Sequence, residues 1–88
     1  MSSVAKILPE RAQTHGSFAT NAFIAQSLRT LYRSERGWDS LTMVQRESLD
    51  NIALKLSRIL SGNGGFADHW DDIAGYAALA SKEISNVG

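Results

Sequence analysis

At 88 residues the chain has room for one domain, and a domain this short is marginal alone unless it is well packed or oligomeric. Nine basic residues balance nine acidic ones, so the cationic footprint of a general nucleic-acid binder is absent, although a local basic patch is compatible with neutrality. There is no cysteine, which excludes disulfides, cysteine-based zinc sites and thiol catalysis, and no apolar run approaches the ~20 residues a membrane-spanning helix needs.

The start, MSSVAKILPE, lacks the basic segment and long apolar stretch of a signal peptide. A soluble, cytoplasmic protein is expected. Residues 1–17 read as an N-terminal arm in which Val4, Ile7 and Leu8 can dock on the body and Pro9 disfavours helix at Leu8. Thr14-His15-Gly16-Ser17 reads as a turn, and residues 18–88 as a single helical domain.

The first helix is expected at about 20–35. Phe23, Ile24, Leu28, Leu31 and Tyr32 form one apolar stripe, with Arg29, Arg33 and Glu35 largely off it. Arg36-Gly37-Trp38-Asp39-Ser40 breaks the period, and Trp38 is expected to cover the end of the core. The second helix is expected at about 42–61. Thr42 and Gln45 have capping-box spacing, and Leu49, Ile52, Ala53, Leu56, Ile59 and Leu60 make an unbroken apolar face. Leu54 falls among polar residues, a hint of a second contact surface, and Gly62 is a stop signal.

The third helix is expected at about 68–85, with Asp68 as N-cap. Trp70, Ile73, Ala77, Ala80 and Ile84 line one face, and Trp70 and Ile73 are expected to anchor the helix to the core. Gly75 in mid-helix costs about 1 kcal/mol relative to alanine, which close packing or a ligand would offset. Three helices with short links predict an all-α fold, a three-helix bundle with an N-terminal arm that self-associates.

Two carboxylate pairs at helical i, i+3 spacing stand out: Glu47 with Asp50, and Asp68 with Asp71, beside Asp72. Carboxylates on adjacent helices can hold Mg²⁺ through oxygen ligands. E-x-x-D, seventeen residues, then D-x-x-D resembles the acidic signature of MazG-type all-α nucleoside triphosphate pyrophosphatases. That resemblance implies Mg²⁺ held by Glu47, Asp50, Asp68 and Asp71 or Asp72, over about 25 residues. Two of the expected glutamates are aspartates here.

Hairpin register argues against one ion bridging both pairs within one chain. With Ser61 level with Asp68, Asp50 falls level with Leu79, roughly 10 Å along the axis from Asp72. Only a second subunit could close that gap. Lys55 and Arg58 are instead placed to neutralise Asp71 and Asp72, and Lys82 falls level with Glu47. His15 and His69 lie in different segments and carry no zinc-site pattern. Gly62-x-Gly64-Gly65 lacks the lysine of a phosphate loop.

A longer resemblance covers residues 15–80. His15-Gly16-Ser17-Phe18, Gln45-Arg46-Glu47-Ser48-Leu49-Asp50-x-Ile52-Ala53, Lys55-x-x-Arg58-Ile59-Leu60 and Asp68-His69-Trp70-x-Asp72-Ile73-Ala74-Gly75-Tyr76 are similar to a group of small bacteriophage and prophage proteins of uncharacterised function. It implies a helical phage-associated protein acting in the bacterial cytoplasm. The expected function is non-enzymatic binding of a host protein or a small nucleotide-like ligand, without a cofactor. Arg29, Arg33, Lys55, Arg58, Trp70, Asp72 and Tyr76 are the candidate contacts, and Leu54, Tyr76 and Leu79 the candidate homo-oligomer surface. The alternatives are the Mg²⁺-dependent pyrophosphatase built across a dimer, and a DNA-associated regulator using Arg29, Arg33 and Arg36. Neutral charge weighs against the regulator.

Overall fold

In a computed structural model the described residues are 14–87, with side chains described to Ile84. The expected docking residues Val4, Ile7 and Leu8 lie outside them. Three α-helices follow in order: α1 (Phe18–Arg33), α2 (Met43–Ser61) and α3 (Ala67–Val87), with a 3-10 turn over Arg36–Ser40 between α1 and α2. No strand occurs among the described residues. The all-α, three-helix expectation holds.

Local chemistry sets the helix ends. The Ser17 hydroxyl accepts from the Thr20 N–H and starts α1 two residues earlier than expected. The capping box at α2 forms as read: the Gln45 N–H donates to Thr42 Oγ1 at 3.2 Å, and the Thr42 N–H donates to Gln45 Oε1 at 2.9 Å. The third helix starts at Ala67, so Asp68 lies within its first turn instead of capping it. A carboxylate there still favours the positive end of the helix dipole.

Gly62 stops α2, but not through a left-handed residue, since its φ is −116°. Its role is close approach. A Cβ at Gly62 would sit 2.6 Å from the Gly16 nitrogen, the His15 carbonyl carbon and the Thr14 oxygen. Gly16 faces it with φ +76°, a conformation that glycine adopts without penalty. Two glycine backbones thus pack where residues 14–16 cross the α2 terminus.

The central helix is α2. Both α1 and α3 pack extensively on it, and neither packs comparably on the other. The contacts at its heart are small: Ala25, Ala53, Ser48 and Ser57 are buried, along with Asn21 and His69. Small side chains let helix axes approach closely. The large apolar residues of the expected stripes are half-buried, as Ile24, Leu28, Ile52, Leu56 and Ile73 are, or open, with Leu31 65%, Leu60 69% and Ile84 59% exposed. Trp70 is 52% exposed and does not anchor α3 in a core; its indole N–H donates to the Gly64 carbonyl at 2.7 Å. The radius of gyration, 15.1 Å, exceeds the ~12 Å of a compact domain of this length. The stripes therefore exist on each helix, but among the described residues they do not close into one large-residue core.

Candidate functional site: an arginine–aspartate–tryptophan cluster

The end of α1 meets the first half of α2 through Asp50. Tyr32 donates its hydroxyl to Asp50 Oδ1 at 2.5 Å and Arg33 donates to Asp50 Oδ2 at 2.7 Å. Arg29 donates to the Asp50 backbone carbonyl at 3.1 Å, and its Nε stands 3.9 Å from Oδ1. That Nε is buried and has no hydrogen-bond partner. Burial and then the hydrogen bond to Asp50 push the Tyr32 hydroxyl up to about 12. Three groups spaced along α1 at i, i+3 and i+4 thus converge on one carboxylate of α2.

Beside this cluster lies Trp38 of the 3-10 turn. Its ring packs on Tyr32 with centroids 5.3 Å apart. The Arg33 and Arg46 guanidiniums lie 5.6 and 5.3 Å from the Trp38 ring centroid. Arg46 is held by the Trp38 and Asp39 carbonyls at 3.2 and 3.1 Å. Trp38 covers the α1–α2 end of the fold, as its size suggested. Sequence reading gave Arg46 no role. The signal available was its place one turn before Asp50 on α2, which puts both side chains toward α1.

Of the other expected contacts, Lys55 pairs with Asp72 at 2.9 Å across the α2–α3 hairpin. This is the ion pair the register predicts. The hydrogen bond to Lys55 lowers the Asp72 carboxyl below its usual value. Arg58 lies on the same side and adds to that lowering. Tyr76 and Leu79 line a groove of about 560 Å³ between α2 and α3, with Val44, Glu47, Ser48, Lys82 and Glu83. Leu54 is half-buried, and Trp70 faces outward on α3. Among the described residues nothing packs over Gly75, where a Cβ would meet no atom within 4 Å.

The five acidic residues of the pyrophosphatase-like reading are distributed. Asp50 is held by α1 and Asp72 by Lys55, Glu47 lines the groove, and Asp68 and Asp71 are exposed in the first turns of α3. No group of three or more histidines and carboxylates able to hold a metal gathers among the described residues of one chain.

The histidines, by contrast, do meet. His15 and His69 stack edge to face with ring centroids 4.8 Å apart, and Phe66 packs on both. His69 Nε2 is 2.7 Å from the Thr14 carbonyl, which also accepts the Asn63 N–H. The Asn21 amide donates to the His15 carbonyl at 2.6 Å, and the Ser61 hydroxyl sits against Asn21 Oδ1 and the His15 and Ser57 carbonyls. These groups tie residues 14–16 to both ends of the α2–α3 loop, so this part of the expected arm belongs to the body.

No helix among the described residues is long and apolar enough to cross a membrane. No curated protein and no solved structure matches the chain. A family profile described as a domain of unknown function, DUF6378, matches residues 2–84. That span is nearly the whole chain, and the protein therefore belongs to the DUF6378 family.

Proposed function

We propose that this is a phage- or prophage-encoded protein that acts by binding, and that its ligand is a small nucleotide-like anion taken at the Arg33–Trp38–Arg46 surface. The observation that carries the reading is two guanidiniums placed over one tryptophan ring, at 5.6 and 5.3 Å. A guanidinium carries five donors in a planar fork that suits phosphate oxygens, and an indole offers a base a stacking surface. Asp50 and the carbonyls of Trp38 and Asp39 hold both arginines in place, which lowers the entropic cost of ordering them on binding. The phage origin is supported by the motif resemblance over residues 15–80.

The test is calorimetric titration of the full chain with nucleoside triphosphates, cyclic dinucleotides and an acidic peptide, each with and without Mg²⁺. Nucleotide binding that weakens at least tenfold (about 1.4 kcal/mol) in Arg46→Ala supports the proposal. Preference for the acidic peptide, or no loss in Arg46→Ala, overturns it. Release of pyrophosphate from a nucleoside triphosphate with Mg²⁺ overturns the non-enzymatic reading in favour of a pyrophosphatase assembled from two subunits.

A further inference from the structure

The apolar face of α2 is covered only in part by its two neighbours. Asp50 and Ser61 meet α1, whereas Ser48 and Lys55 face α3. At ~100° per residue these contacts occupy two arcs of the helix, and Leu49, Ile52, Leu56 and Leu60 fall in the third. Leu60 is 69% exposed and Leu49 36%, whereas Ile52 and Leu56 are half-buried. On α3, Trp70, Ala77 and Ile84 recur every seven residues along one flank, all exposed. The opposite flank carries Leu79 and Lys82 of the groove. The two helices run antiparallel and share that groove on one side, so the Trp70–Ile84 flank turns to the other side, beside Leu49, Leu56 and Leu60.

We infer that this α2–α3 face is the seam of a homodimer, occupied by the same face of a second copy. Three observations select a second copy over another partner. Positions 49, 52 and 56 have the i, i+3, i+7 spacing of a helix-pairing seam, which is self-complementary about a two-fold axis, and Leu60 at i+11 continues the same side. No charged residue lies within that set, and the chain's formal net charge is +0, so two copies meet without repulsion and nothing steers a charged partner to the face. The area is also sufficient. A 19-residue helix is ~28 Å long, and two helices ~9 Å apart present on the order of 500 Å², so two copies bury roughly 1,000 Å², where stable interfaces begin. The seam would bury the large apolar side chains that the described residues leave exposed. It lies opposite the Tyr76–Leu79 groove side, and it stands independently of the proposed ligand.

The experiment is gel filtration with light scattering on the full chain between about 1 and 200 µM, chosen to bracket a micromolar dimer. The expected mass is twice 9.6 kDa. Leu60→Glu should raise the dimer dissociation constant at least tenfold, and Leu79→Glu on the groove side should leave it unchanged. Should Leu60→Glu lose helical circular dichroism, the milder Leu60→Gln replaces it, since an exposed side chain can change without opening the fold. A monomer mass for the native chain throughout the range overturns the inference. So does a dimer that survives the Leu60 substitution but dissociates with Leu79→Glu.

Discussion

Replacing Asp50 by asparagine keeps the side-chain shape and removes its charge. The carboxylate accepts from Tyr32 at 2.5 Å and Arg33 at 2.7 Å, and balances Arg29, whose Nε is already buried without a hydrogen bond. In the variant the amide oxygen can still accept once, but the amide N–H₂ must face a donor. Breaking one partner of a fully buried pair costs about 3–5 kcal/mol. The Asp50 and Arg29 side chains are 22% and 21% exposed and that of Arg33 is 46%, so solvent offsets part of the loss and about 2 kcal/mol is expected. For a domain of this size that lowers Tm by roughly 10 °C, read by thermal or urea unfolding. A second readout is local. Tyr32 titrates near 12 because it is buried and donates to Asp50, and the variant should bring it toward its usual value, read by ultraviolet difference titration against Tyr76. The sign follows: the folded pKa is raised, so this stabilisation is intact below about pH 10 and is lost as pH rises toward 12. A Tm within 2 °C of the native protein together with an unmoved tyrosine titration would refute the reasoning.

Three other outcomes are expected. Gly62→Ala places a methyl group 2.6 Å from the backbone of residues 14–16, and should destabilise by about 2 kcal/mol in urea denaturation, whereas Gly75→Ala, with open space, should stabilise by up to about 1 kcal/mol. His69→Leu removes one of the two donors to the Thr14 carbonyl, leaving the Asn63 N–H, and should cost about 1 kcal/mol, with altered amide hydrogen exchange at Asn63 as the site-specific sign. Lys55 lowers the Asp72 carboxyl, so that contribution is present above its unfolded value and lost as pH falls through the lower folded value; Lys55→Met should abolish this part of the acid-side loss of stability, seen by comparing unfolding midpoints between pH 5 and pH 2.

Much of the local structure was legible. Thr42 and Gln45 announce the start of α2, and Ser17, unread as a cap, does the same for α1. The ion pair Lys55–Asp72 followed from hairpin register, because a short loop leaves few ways to align two antiparallel helices. The Asp50 cluster was legible only in halves. Arg29 and Arg33 stood out as a basic edge and Asp50 as part of an acidic pair, but no rule of spacing joins residues 17 to 21 positions apart on separate helices. Trp70 misled because its size and its place in an apolar stripe suggest burial, and the stripe it belongs to is open in this chain.

By itself the sequence determined which stretches are helical and which side of each is apolar. These properties depend on neighbours within four residues. The tertiary structure alone decided what each face meets. It placed α1 and α3 on the small-residue sides of α2, around Ala53, Ser48 and Ser57, because small side chains allow the closest backbone approach. It set Gly16 against Gly62, brought His15 beside His69, and made Asp50 the counter-ion of α1. It also left Leu49 and Leu60 of α2 exposed. A periodic stripe records that a face must be covered, whereas whether the cover comes from the same chain depends on packing between elements far apart in sequence.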